Sequence, residues 1–433
     1  MARRARHAPL NVFLNGRLVG RLRKEASGAI EFQYDRSWLD WENTFAISLS
    51  MPLRETRYAG NDVVAVFDNL LPDNEGIRRR VAERTGAEGT DAYSLLAALG
   101  RDCVGALQFL TEDEDPGPAG QVVGKPITDA EIARKLGDLA SSPLGLDEDT
   151  DFRISIAGAQ EKTALLKWDG KWQTPVGTTA TTHIFKPQIG QLPNGMDLSH
   201  SVENEYFCLK LTAALGLPSA NVEMATFGKK RVLIVERFDR QITRDSRLLR
   251  LPQEDCCQAL GVAPTRKYEA DGGPGIRALL ELMRGGDLPD EDQKTVLAAS
   301  IVFWLMGATD GHAKNFSVFL SPGGGYRMTP LYDVLSAQPS LVARKLQKKQ
   351  MKMAMAVGDN RHYRVDEIAP RHFEQTTAKA GVGKPVVAEV MANLKAVGAA
   401  AMEKTTGELP RGFPAEVAEP IAEGFLNRLR LIG

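Results

Sequence analysis

Short alternating runs open the chain. Asn11-Val12-Phe13-Leu14 and Arg17-Leu18-Val19-Gly20 flank Asn15-Gly16, a dipeptide suited to the two-residue turn of a β-hairpin, and Ala29 to Tyr34 reads as a third strand. Val63 to Leu71 carries apolar residues at helical spacing until Pro72 and Asp73 end it, and Tyr93 to Leu99 is a second short helix. The acidic, Pro/Gly-rich run Glu112 to Gly120 predicts a linker or exposed loop, followed by an amphipathic helix over 127–140 and another acidic loop at Asp147 to Asp151. Phe152–Ile156, Thr163–Trp168, His183–Phe185 and Arg231–Glu236 are strand-like, with a helix over Val202–Leu215 that Gly216 stops. Beyond residue 250 helical spacing dominates, over Ile276–Met283, Lys294–Gly307, Val386–Ala400 and Glu416–Leu431. The expected fold is α+β: a mixed N-terminal unit, a β-rich segment with one helix, then a helical remainder.

Composition narrows the class. The chain has 433 residues, 43% hydrophobic and 25% charged, as in soluble globular proteins with two or three compact units. Its 54 Lys plus Arg against 55 Asp plus Glu leave a net charge of -1, so any nucleic-acid contact must be a local patch or belong to a partner. Four cysteines without Cys-x-x-Cys spacing argue against a disulfide framework or zinc site and for a reducing compartment. No apolar signal segment follows Arg3, Arg4 and Arg6, and the most apolar stretch, Val296 to Ala308, has 13 residues, short of a bilayer span. The expectation is a cytoplasmic protein with no membrane contact.

Candidate chemistry concentrates in GATDGHAKNFS, Gly307 to Ser317. Asp310, Gly311, His312, Lys314 and Asn315 crowd together after an apolar helix, which places them on a loop facing a cleft rather than in a core. Asp310 and Asn315 have the D-x-x-x-x-N spacing of kinase catalytic loops: a carboxylate near the attacking hydroxyl and an amide oxygen near the phosphate-bridging metal. Phe316 to Leu320, the turn Ser321 to Gly325 and the return strand Tyr326 to Leu331 would bring Asp333 beside Asn315, and those two oxygens suit magnesium. Capping roles for the two aspartates are the plain alternative.

Upstream, Ser155, Ile156, Ala157, Gly158, Ala159 and Gln160 form a small-residue turn that could cradle phosphates, although it is neither a Walker loop nor GxGxxG. Lys186 ends a strand and could reach phosphate oxygens, oriented by either Glu203 or Glu205. The backbone of Glu236 and Phe238 is a candidate adenine-pairing hinge. Pro252 to Asp255 could wall the cleft, and Asp271-Gly272-Gly273-Pro274-Gly275 reads first as a turn before a helix. Five basic residues in nine, from Arg344 to Lys352, form a solvated face or a surface for an acidic partner.

Taken in order, DFRISIAGAQEKTALL, THIFKP, VERFDR, LPQEDCCQ, DGGPG, GATDGHAKNFSVF and LYDVLSA, with FDNLLPD and GRDCVGAL before them, resemble the HipA family of bacterial serine/threonine kinases, the toxins of HipA–HipB pairs. The likeness spans nearly the whole chain. It implies a two-lobed kinase-like fold, distantly related to lipid kinases. Residues 1–110 would be the family's N-terminal subdomain, 111–150 a linker with a short helix, 151–245 the nucleotide-binding part of the N-lobe and 246–433 the helical C-lobe. It implies ATP and Mg2+, with Asp310 as catalytic base and Asn315 and Asp333 as metal ligands. Ile156 to Gln160, Lys186, Glu236, Phe238, His312, Lys314, Asn315, Tyr332 and Asp333 would contact nucleotide, and Ser155 would be autophosphorylated. It further implies a helix-turn-helix antitoxin like HipB, operator DNA reached through that complex, and glutamyl-tRNA synthetase as the substrate, whose modification would inhibit translation and arrest growth. Lys379 falls in a stretch resembling a DNA-touching part of the toxin, but Val382 stands where a second basic residue is expected. A non-catalytic co-repressor is the alternative function.

Overall fold

The computed structural model describes residues 7–146, 153–158, 160–191 and 197–432. An antiparallel five-stranded sheet forms first, ordered Tyr58–Ala59, Ile30–Tyr34, Arg17–Lys24, Leu10–Leu14, Leu107–Leu110. Asn15 and Gly16 both take positive φ (47° and 81°), so the expected tight hairpin turn forms. One face of this sheet is packed by Phe32, Phe67 and Phe109, which meet as aromatic pairs.

A six-stranded sheet follows, ordered Val222–Phe227, Lys230–Glu236, His183–Pro187, Thr163–Trp168, Lys171–Pro175, Gly124–Pro126. The helix Ser201–Ala214 packs behind it. The predicted strand over Phe152–Ile156 does not form: residues 153–157 are irregular and Phe152 lies outside the described residues. Ile154 and Ile156 are buried, but the Ser155 hydroxyl donates to Leu70 O (2.7 Å) and its N–H to Asp102 O (2.9 Å), so the segment docks on the N-terminal unit instead of joining a ladder.

The helical part is built on Pro289–Met306, buried all round from Val296 onward. It begins before the predicted Lys294 because Pro289 sits in its first turn and Asp290, Glu291 and Asp292 complement its N-terminus. Gly307, in the left-handed conformation, ends it and releases the chain toward Asp310. The predicted hairpin forms, with Val318 opposite Met328, but its return strand stops at Met328 rather than Leu331, since Pro330 has no N–H to add to a ladder. Among the described residues one helix, Lys384–Gly407, is long and apolar enough to cross a membrane by length and composition; its Val387, Val390, Met391 and Leu394 are buried in the helical part. The four cysteines are free and buried, as expected. The fold is thus α+β and two-lobed, with the two large sheets in one lobe and a second lobe that is mostly helical but carries the small sheet of Gln253–Asp255, Ser317–Leu320 and Tyr326–Met328 and the strand pair Lys352–Val357 and His362–Arg364.

Candidate active site

The lysine strand and the helix behind it meet first. Lys186, at its strand's end, turns its Nζ inward to Glu205 Oε1 at 2.7 Å. The sequence left Glu203 and Glu205 as alternatives. Glu205 takes the lysine, while Glu203 accepts from Arg231 and Gln188. Lys186 Nζ also donates to Asp333 Oδ1 at 2.9 Å. Burial alone would push the ammonium's pKa down, yet Asp333 and Glu205 hold it well above its ordinary value. Burial likewise works to raise Asp333, but Lys186 and Lys162 keep that carboxylate ionised, far below the usual range.

Asp333 reaches this position through the hairpin, and its φ of 59° is left-handed, a conformation that costs a non-glycine residue free energy. Asn315 explains how it is held: Nδ2 donates to the Asp333 carbonyl at 3.1 Å, which leaves Oδ1 as the amide's remaining polar atom. One amide oxygen and one carboxylate therefore share a corner of the cleft. Among the described residues no group of three His, Cys, Asp or Glu side chains is set to cage a metal. The donors do fit a hard cation that takes its other oxygens from phosphates and water.

Asp310 lies on the turn after the long helix, exposed as a residue, with its carboxyl turned toward Tyr268. Tyr268 Oη donates to its Oδ1 at 2.7 Å. Its pKa is raised, first by burial of the carboxyl and then by the negative charges of Asp333 and Asp73, with Tyr268 and Lys267 opposing. His312 packs edge-on to Tyr268 and is buried; burial, then Lys267, lowers its pKa to about 3, so the ring is neutral. Lys314 is buried in the helical turn Ala313–Asn315, and Tyr332 Oη donates to its carbonyl (2.9 Å) while sharing a hydrogen bond with Ser317 Oγ.

The small-residue turn folds over the same cleft. Gly158 has φ 112°, a conformation that strains any residue with a Cβ. Lys162 Nζ donates to Ala157 O at 2.6 Å inside the turn, and burial with the neighbouring Lys186 lowers its pKa to about 8. Gln160 Nε2 ties the turn to Pro187 O at 2.8 Å; Ala159 lies outside the described residues. At the cleft's other end Glu236 closes a strand and Phe238 packs against Phe319 and Tyr332, ring centroids 5.9 and 5.8 Å apart, which makes an aromatic wall. Asp255 reaches the cleft region from a strand paired with the hairpin, caps the helix Cys256–Ala259, and is raised to about 6 by burial.

Sequence reasoning had not placed Lys162, Lys267, Tyr268 or Asp73 at this site. Lys162 carried a signal, a lysine two residues after a small-residue turn. Lys267 and Tyr268 sit just before the Asp271–Gly275 turn, where Gly273 is required because a Cβ would lie 1.9 Å from Arg266 O. Asp73 comes from the N-terminal unit, and its pairing with Lys314 (2.5 Å) and Lys267 (2.8 Å) has no local signature. Lys379 is elsewhere, at the end of the helix Pro370–Lys379, paired with Asp359 at 2.9 Å, and Val382 beside it is buried.

Residues 10–110 match the HipA N-terminal domain and residues 154–402 the HipA-like C-terminal domain. A putative kinase, Y4mE, of Sinorhizobium fredii is 38% identical over 391 residues, covering 89% of each protein. The serine/threonine-protein kinase toxin HipA of Shewanella oneidensis is 29% identical over 372 residues, covering 82% of this chain and 80% of that one. A chain from the solved Shewanella oneidensis MR-1 complex of HipA, HipB and operator DNA superposes with a TM-score of 0.80 at 25% identity, covering 98% of this chain and 96% of that one.

Proposed function

This chain belongs to the HipA family of kinase toxins, and on that premise we propose that it transfers the γ-phosphate of ATP to a serine or threonine hydroxyl of a protein. The observation that carries the reading is the Lys186 ammonium, held between Glu205 and an Asp333 whose own carbonyl is fixed by Asn315. Phosphoryl transfer depends mostly on positioning and charge stabilisation, and this cluster supplies both. Asp310 accepts or orients the acceptor's proton; its raised pKa suits a base that must take one. Lys186 and the turn Ile156–Gln160 hold the phosphates, with His312 and Lys314 at the cleft edge. The backbone of Glu236 and Phe238 pairs with adenine beside the aromatic wall that Tyr332 completes. Asn315 and Asp333 would hold magnesium, which when bound offsets phosphate charge.

In this reading residues 1–110 form the N-terminal subdomain, 111–150 the linker, 151–245 the nucleotide-binding part and 246–433 the helical lobe. The partner is a helix-turn-helix antitoxin that carries the pair to operator DNA; any direct DNA contact would run through Lys379. Glutamyl-tRNA synthetase is the substrate that the resemblance implies. Ser155 is the site of self-modification. Because its side chain is fully buried, the turn must leave its seat first, and a phosphate of about -1.5 to -2 charge would then bar its return over ATP. Mass spectrometry with ATP titration checks this: phosphorylated Ser155 with unchanged ATP affinity counts against it. A binding-only co-repressor leaves the Lys186–Glu205–Asp333 cluster without a purpose. Purified protein with labelled ATP separates the two. Magnesium-dependent incorporation into protein supports the kinase, and antitoxin and DNA retention without label overturns it.

A further inference from the structure

One short segment of the N-terminal unit, Leu70 to Asp73, touches both halves of the cleft. Leu70 O accepts from Ser155 Oγ, Pro72 forms a parallel bridge with Gly158, and Asp73 N–H donates to Gly158 O at 3.1 Å. The side chain of the same Asp73 crosses to the other lobe. Its Oδ1 accepts from Lys314 Nζ at 2.5 Å and its Oδ2 from Lys267 Nζ at 2.8 Å, with all three side chains largely buried. Lys314 adjoins Asn315 in sequence, and Lys267 adjoins Tyr268, which holds Asp310. A single residue thus ties Lys314 of the candidate catalytic loop and Lys267 beside it, through its carboxylate, to the small-residue turn, through its N–H.

Resting on the kinase reading, we propose that Asp73 is a positioning residue of the phosphotransferase site, and that the N-terminal unit completes that site through it. Two ammonium groups packed side by side repel, and without a shared anion they would spread into the cleft or out of it. In the proposal, Asp73 sets their spacing, and each ammonium keeps further donors with which to meet an incoming phosphoryl group. The backbone of the same residue fixes the turn above that group. The phosphate turn and the catalytic loop are therefore registered against each other by a residue that belongs to neither.

The test is steady-state kinetics of Asp73→Asn and Asp73→Glu beside the full-length wild type, with thermal melts as the folding check. Asn keeps the shape and one acceptor oxygen but not the charge. The expected result is a fall in kcat of about tenfold or more, a KM for ATP that moves much less, and partial recovery in Asp73→Glu. Lys267→Met should lower kcat as well, and the double variant Asp73→Asn/Lys267→Met should lose less than the product of the two single losses. A folded Asp73→Asn with kcat within twofold of wild type overturns this inference and leaves the kinase reading intact. Wild type that transfers no phosphate overturns both. If Asp73→Asn melts early, the readout moves to Asp73→Glu, and full multiplicativity between Asp73→Glu and Lys267→Met overturns the inference.

Discussion

Two buried charge clusters flank one pair of strands, Lys186 lying on His183–Pro187 and Arg237 following its partner Lys230–Glu236, and they are built to opposite ends. Around Asp102, the guanidinium groups of Arg237, Arg240 and Arg250 converge with Asp239. Both Asp102 oxygens are occupied: Oδ2 accepts from Thr181 N–H and hydroxyl and from Arg237, and Oδ1 from Arg240 and Arg250. Remaining guanidinium donors go to the carbonyls of Cys103, Gly105 and Thr178. At the candidate active-site cluster the polar groups are only partly used. Asp310 is exposed, and Asn315 Oδ1 and one Asp333 oxygen have no hydrogen-bond partner among the described residues. A sealed ion network fixes geometry, because breaking it strands charge in the interior. An open one keeps donors and acceptors for a ligand.

The largest expected effect breaks the open cluster. Asp310→Gln should cut phosphoryl transfer by about 10²–10⁴-fold while ATP binding and folding persist, measured by label incorporation and nucleotide titration. Unchanged transfer would remove Asp310 from the mechanism. The sealed cluster should respond the other way. Asp102→Asn leaves three arginines short of an anion and should cost about 3–5 kcal/mol of stability by denaturant titration. Glu205→Gln sharpens the contrast. Lys186 keeps Asp333, so stability should fall less than in Asp102→Asn, while activity drops because the lysine is no longer held from both sides. Equal stability losses for the two variants would erase the distinction.

A smaller, pH-dependent effect shows what burial does without any cation. Glu254 is buried beside Asp255; Oε1 accepts from Leu49 N–H and Oε2 has no partner among the described residues. Burial raises its pKa from 4.5 to about 8. The folded state then binds a proton that the unfolded state has lost, so this contribution to stability is present at low pH and disappears as pH rises from 4.5 through about 8. Urea midpoints of wild type relative to Glu254→Gln should fall across that window and level off above it. Parallel curves would show that Glu254 ionises normally.

The sequence made the candidate catalytic loop legible because its residues are local: Asp310, His312, Lys314 and Asn315 are near neighbours, and the hairpin delivering Asp333 has a Gly-rich turn and alternating flanks. The hairpin at Asn15-Gly16 and the long buried helix were legible for similar reasons. The irregular course of Ile154 to Ile156 was not, because an alternating apolar run looks the same whether it joins a ladder or docks through Ser155 on another unit. Nor were Asp73 and Asp102. Asp73 meets Lys314 across 241 positions of chain and Asp102 meets Arg237 across 135, and only tertiary structure pairs charges so remote. Read alone, each is an aspartate in a loop.

Asp102 has one more property. Its carbonyl accepts from Ser155 N–H beside the turn proposed to hold phosphates, and its carboxylate grips Arg237, which stands between Glu236 and Phe238, the pair proposed to meet adenine. Head and tail of a nucleotide would thus be gauged from one fixed point, as a caliper's jaws share a single beam. Loosening that beam should widen the tolerance for the wrong base as well as the wrong number of phosphates.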